Sequence, residues 1–105
     1  MPIRFIYMTA SSLEEAKRIG RELVSAHLAA CVNILPQMQS FYVWEGQLQE
    51  DAEVVMIAKT TADRTTELIA KVKSLHSYSV PCIVSLAVED GHPPFLDWIS
   101  RSVER

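Results

Sequence analysis

Apolar positions change period several times along the chain, and each change marks an element. Residues Ile3 to Thr9 form a strand-like run of Ile, Phe and Tyr that ends at Ser11, Ser12 and an acidic pair. Ser12, followed three residues later by Glu15, makes a capping box: the hydroxyl accepts the Glu15 amide while the carboxylate reaches back. A helix starts there, with Leu13, Ala16, Ile19, Leu23 and Val24 as its apolar stripe and Glu14, Lys17, Arg18, Arg21 and Glu22 on the other side. Beyond His27 the residues turn small and then β-branched, which predicts a second strand at about Cys31 to Leu35, stopped by Pro36. Ser40 to Trp44 and Glu53 to Thr60 read as the arms of a hairpin, with Glu45-Gly46 supplying the turn or bulge. Thr61 to Asp63 offer capping oxygens to a second helix carrying Leu68, Ile69, Val72 and Leu75 and ending near His76. After Pro81 comes the apolar strand Cys82 to Val88; Asp90-Gly91 turns the chain, His92-Pro93-Pro94 interrupts it, and Phe95, Trp98 and Ile99 suit a short terminal helix.

The order strand, helix, strand, strand, helix, strand with an appended helix predicts an α+β, ferredoxin-like split βαβ fold. In that fold both main helices cover one face of an antiparallel sheet, so the strands should alternate apolar and polar. Val54 to Ala58 do not alternate, nor do Cys82 to Val88 apart from Ser85. Something is therefore expected to cover the second face, and another copy of the chain is the simplest cover.

At 105 residues, 49% hydrophobic and 22% charged, the chain reads as one globular domain, 1–105. A net charge of -3 disfavours nucleic acid and anionic lipid as partners. The apolar runs are too short for a membrane span, and the start of the chain reads as strand rather than leader, so a cytosolic address is expected. Cys31 and Cys82 are far apart and in no C-x-x-C pattern; buried thiols are the simple reading of both.

No phosphate-cradling glycine loop, nucleophile elbow or H-E-x-x-H motif is present, so an enzyme is not expected. The segment before the first helix has free backbone amides for an anion, although helix capping explains it without a ligand. More informative is HSYSVPC, His76 to Cys82, where imidazole, phenol and thiol converge at a strand entry. Imidazole and thiolate are copper or zinc donors, while a histidine capping a helix end followed by a Tyr-Pro turn explains the same residues structurally. His27 and Cys31 would share a face only if one helix ran through both, which the strand at Cys31 opposes. A second constellation joins Trp44, Glu45, Glu53 and Lys59, with Lys59 either a snorkelling edge residue or the buried partner of a carboxylate.

LAACVNI at Leu28 to Ile34, YVWEGQLQEDAEVVMIAKT from Tyr42 to Thr60, HSYSVP from His76 and FLDWI from Phe95 together resemble the CutA divalent-cation tolerance family over nearly the whole chain. Trp44, Gly46, Glu53, Lys59 and Thr60 fall on its W-x-G…E…KT pattern. The resemblance implies a homotrimer of ferredoxin-like subunits whose sheets join edge to edge, and a role in tolerance of copper and other divalent cations. Members usually read HPYxxPE, whereas this chain has Ser77 for the first Pro and Cys82 in place of the Glu. A hard oxygen donor has become a soft thiol. The expected metal donors are His76 and Cys82, with Cys31 a lesser contributor, and copper or another divalent ion as ligand. The family's likeness to PII signalling trimers implies an alternative, a small anionic ligand in a pocket around Trp44, Glu53, Lys59, His76 and Tyr78. A trimer that only binds partners is a further alternative, and an acylphosphatase-like enzyme a distant one.

Overall fold

The computed structural model describes residues 2–104. Its elements are strand β1 (Ile3–Ala10), helix α1 (Leu13–Ser25), strands β2 (Cys31–Trp44) and β3 (Gln47–Thr61), a 3-10 turn (Ala62–Arg64), helix α2 (Thr65–Leu75), strand β4 (Ile83–Val88) and helix α3 (Pro93–Ser102). The strands form an antiparallel sheet in the order β2-β3-β1-β4, as the element order leads one to expect of a split βαβ arrangement.

Helix α1 starts where the Ser12 hydroxyl accepts the Glu15 amide at 3.1 Å. It ends in a Schellman motif: the Leu28 amide donates to the Leu23 carbonyl, the His27 amide donates to the Val24 carbonyl, and His27 takes the left-handed φ of 58° usually left to glycine. The second helix departs from expectation. Thr61 to Asp63 do not cap it; Thr61 ends β3 and its hydroxyl donates to the Asp63 carboxylate, a 3-10 turn follows, and α2 begins without a side-chain cap. Strand β4 begins at Ile83, one residue later than expected.

Pro36 does not stop β2. The strand lies at the sheet edge, where a missing N–H need not cost a ladder bond, and Pro36-Gln37 are absorbed as a bulge. Leu35 pairs with Val55 and Met38 with Glu53, so two residues of β2 oppose Val54 alone, and Gln37 has a φ of 69°. The extra residue changes which side chains face which way. Up to Leu35 the odd-numbered residues share a face with Glu53, Val55, Ile57 and Lys59; from Met38 onward the even-numbered ones do. Without the bulge, Phe41 and Val43 would stand where Tyr42 and Trp44 stand.

Strand β3 starts at Gln47, well before Glu53, because Trp44 pairs with Gln47 across a two-residue turn. Glu45 and Gly46 both have positive φ, 51° and 77°, the requirement of a type I′ hairpin. A side chain at Gly46 would meet no heavy atom within 4 Å, so only backbone strain opposes one. Gly46→Ala is accordingly expected to cost about 1 kcal/mol, read as a melting temperature roughly 4–8 °C lower.

The core lies between the helices and one sheet face. Ile6, Met8 and Ala10 of β1 and Val54, Met56 and Ala58 of β3 pack against Ala16, Ile19 and Leu23 of α1 and Leu68 and Val72 of α2. Beside them the buried Thr60 hydroxyl donates to the Leu28 carbonyl at 2.7 Å, tying β3 to the chain entering β2. The opposite face carries Phe5, Tyr7, Val55 and Ile57 half-buried, while Leu35, Val84 and Leu86 are 52%, 47% and 51% exposed. Helix α3 packs against β3 and β1. There the Lys59 ammonium lies 5.5 Å from the ring centres of both Phe5 and Phe95. This corrects both expectations for Lys59: β3 is an interior strand, and the cation rests on aromatic faces instead of pairing with a carboxylate.

Candidate functional site

Three chain segments meet where α1 begins, β1 ends and the loop after α2 enters β4. Glu15 holds them together. Its carboxylate accepts the Ser11 amide and hydroxyl, each at 2.9 Å, and the Ser77 amide at 2.8 Å. The capping-box carboxylate thus reaches back to Ser11 and also across to a loop 62 positions later, a link that local spacing does not reveal. Burial raises the Glu15 pKa, but the hydrogen bonds from Ser11 and Ser77 outweigh it and bring the group from 4.5 down to about 2.

His76 is fixed from both sides. Nε2 lies 2.7 Å from the Thr9 carbonyl and Nδ1 accepts the Tyr78 amide at 3.0 Å, which assigns the proton to Nε2. Its ring is tilted against Tyr78 with centroids 4.8 Å apart. A metal ion can take a ring nitrogen only by displacing one of these bonds. The imidazole thereby sets the position of Tyr78, whose hydroxyl donates to Glu53 at 2.9 Å.

In front of Tyr78 is a cleft of about 410 Å³, lined by Thr9, Tyr42, Trp44, Glu53, Tyr78 and Cys82 together with the Ser79-Val80 segment. Its walls come from the bulged strand β2, from β3 and from the loop before β4. Tyr42 donates to Asp51 at 2.5 Å, and that carboxylate raises the phenol's pKa. Burial raises the Tyr78 phenol strongly, with Glu53 adding to the effect, so both tyrosines remain protonated donors at neutral pH. Cys82 is also pushed up, first by burial and then by the Glu53 charge, which keeps it a thiol in ordinary conditions.

Of the residues expected to build a pocket, Trp44, Glu53 and Tyr78 line this cleft. His76 stands behind Tyr78, and Lys59 lies farther along β3 between Phe5 and Phe95. The lining contains no Lys, Arg or His, so Lys59 and His76, both expected around an anion, do not line it. Of the expected metal donors, Cys82 is in the cleft. Cys31 pairs with Lys59, six residues from Glu53 and so about 20 Å away along the strand. Among the described residues no group of three or more His, Cys, Asp or Glu is placed to hold a metal ion. Sequence reasoning missed Thr9, Tyr42 and Asp51. The signal for Tyr42 was present, since residues two apart on a strand share a face and Trp44 had been singled out.

A second groove, of about 470 Å³, runs between α1 and β2 over Gly20, Val32 and Ile34, with Lys17 and Arg21 at its rim.

The profile of the family described as "CutA1 divalent ion tolerance protein" matches residues 4–102. The divalent-cation tolerance protein CutA of Archaeoglobus fulgidus is 49% identical over 100 residues, covering 95% of this chain and 97% of that protein. A solved structure from the same organism, described as a periplasmic divalent cation tolerance protein, superposes with a TM-score of 0.94 at 48% identity, covering 97% of this chain and 99% of that one. The CutA homolog of Xenopus laevis is 44% identical over 92% of this chain, which spans 64% of that longer protein. With the profile spanning almost every residue and the same fold in a relative of nearly half-identical sequence, this chain belongs to the CutA1 divalent ion tolerance protein family.

Proposed function

We propose that the protein acts in divalent-cation tolerance as a cytosolic homotrimer that takes copper or another divalent ion in the Glu53–Cys82 cleft. The observation that carries this reading is the convergence of a carboxylate and a thiol in one cleft, close enough for the Glu53 charge to raise the Cys82 pKa. A thiol beside a carboxylate suits a softer ion than two carboxylates would. Two donors from one chain make a modest site, so water or a second copy completes the coordination. In this reading His76 positions Tyr78 and through it Glu53, and Cys31 stands apart from the site. The trimer is supported by the apolar outer sheet face, which one chain leaves partly uncovered at Leu35, Val84 and Leu86. Two free cysteines suit a reducing compartment, although a similar structure is described as periplasmic.

A copper titration followed by calorimetry tests the site. Cys82→Ser is expected to weaken binding about a hundredfold, by removal of a thiolate donor, and His76→Gln about tenfold, through the lost positioning of Tyr78 and Glu53. Because the metal must displace the thiol proton and the thiol pKa is raised, wild-type affinity should climb as pH rises through and beyond the ordinary thiol range. Equal copper affinity in wild type and Cys82→Ser would remove the cleft from the metal's path.

A further inference from the structure

The same cleft has a second chemical character that its metal donors do not use. Tyr42, Trp44 and Tyr78 present three aromatic side chains to one cavity, and two carboxylates stand among them: Glu53 in the lining, and Asp51 bonded to the Tyr42 hydroxyl. Asp51 and Glu53 lie two residues apart on β3 and so point to the same sheet face. Neither carboxylate has a cationic counter-ion: the salt bridges among the described residues are Arg18–Glu15 and Lys71–Glu22, both on the helical layer. Lys59, on the same strand, lies six residues from Glu53 and is held between Phe5 and Phe95. The tyrosine hydroxyls point at the carboxylates as donors, which leaves the carboxylate charge in place and the aromatic side chains available to a ligand.

We propose that this cleft selects a small organic ammonium ion, seated against the rings of Tyr42, Trp44 and Tyr78 and balanced by Asp51 and Glu53. The proposal rests on reading the cleft as a binding site, and it replaces a small anion with a cation as the organic ligand. The physical reasons are two. Aromatic faces attract a weakly hydrated alkylammonium through their quadrupoles, and they do so best when the cation is partly withdrawn from water, as in a cleft. A carboxylate at the rim then supplies the net charge that rings alone lack, without the geometric demands of metal coordination. An anion would meet two like charges and no basic side chain of the lining. The volume, about 410 Å³, accommodates a group the size of trimethylammonium with a short polar arm.

The test uses choline as probe on the intact wild-type protein, with its uncharged isostere, in which carbon replaces nitrogen, and acetate as comparators. Calorimetry and ligand-observed NMR read binding. Choline is expected to saturate a site and to bind about tenfold or more tightly than the isostere, the ratio expected for a partly desolvated cation–π contact with a nearby carboxylate. Glu53→Gln should weaken choline about tenfold, Trp44→Leu should abolish it, and Trp44→Phe should retain most of it, because a phenyl face remains. Cys82→Ser should lower affinity for copper by a much larger factor than it lowers affinity for choline, which separates the two readings of the cleft. Copper binding through Cys82 without choline binding would overturn the ammonium proposal and leave the metal site standing. Choline binding without a Cys82-dependent copper site would do the reverse. Equal binding of choline and its isostere, or tighter binding of acetate, would also overturn it, and these comparisons on wild type do not depend on any variant folding.

Discussion

Replacing Glu15 by Gln is expected to destabilise the protein by about 3 kcal/mol at neutral pH, and the deficit should shrink in acid. The carboxylate is 6% exposed and accepts three hydrogen bonds, from the Ser11 amide, the Ser11 hydroxyl and the Ser77 amide. Its pKa falls from 4.5 to about 2, a difference worth about 3 kcal/mol in favour of the ionised folded state. The group is depressed on folding, so its contribution is complete above pH 4.5 and is lost as pH falls towards 2. Urea unfolding of wild type and Glu15→Gln at matched concentration, repeated from neutral pH downward, should give two curves that converge across that window. The other carboxylates titrate in both proteins and cancel in the difference. A gap that stays constant with pH would mean that Glu15 stabilises by packing alone.

Leu86→Asp is expected to dissociate the proposed trimer into folded single chains. In one chain Leu86 is 51% exposed on the outer sheet face, opposite Phe5 across the β1–β4 ladder. A charge at such a position costs an isolated subunit little, on the order of 0.5 kcal/mol, because it remains in water. If a neighbouring copy covers the face, the same carboxylate is buried without a partner, and breaking the contact becomes cheaper than keeping it. Light scattering should then show the mass falling from about three chains to one, while far-ultraviolet dichroism stays unchanged. An Asp variant of undiminished mass would place the subunit contact elsewhere.

The parts of this molecule legible in its sequence are those governed by local periodicity. Of the α1 stripe, Ala16, Ile19 and Leu23 are buried as their helical spacing requires, whereas Leu13 and Val24 at the two ends of the helix are exposed; the Ser12–Glu15 cap forms at its start. Strand β3 shows its alternation only in the structure: Val54, Met56, Ala58 and Thr60 are buried, while Val55, Ile57 and Lys59 are half-buried on the other side. The sequence read there as a continuous apolar run because both faces carry apolar residues. The distal hairpin was harder to bound. Between Gln47 and Ala52 only Leu48 and Ala52 are apolar, and a strand that extends past its covering helices keeps no continuous apolar face to betray it.

The candidate site was legible as a set of residues and not as a place. Trp44, Glu53, Tyr78 and Cys82 were each singled out by type, and they meet in one cleft; Lys59 and Cys31, singled out in the same way, lie farther along the sheet. What separates the two groups is distance along the sheet: Lys59 and its partner Cys31 lie six residues along β3 from Glu53, whereas the loop carrying Tyr78 and Cys82 is brought to Glu53 by tertiary packing.

By itself the sequence determined the order of strands and helices, the helical core faces, the cap of α1 and the family pattern on Trp44, Gly46, Glu53, Lys59 and Thr60, because each depends on residues near one another in the chain. Only the tertiary structure decided that Pro36-Gln37 bulge instead of ending β2, and so that Tyr42 and Trp44 turn towards Glu53. It alone decided that Glu15 clasps Ser77, that His76 has both nitrogens occupied, and that Lys59 settles on two aromatic rings. These outcomes turn on hydrogen bonds and contacts between residues tens of positions apart, whose geometry follows from how the sheet pairs and where the helices press on it.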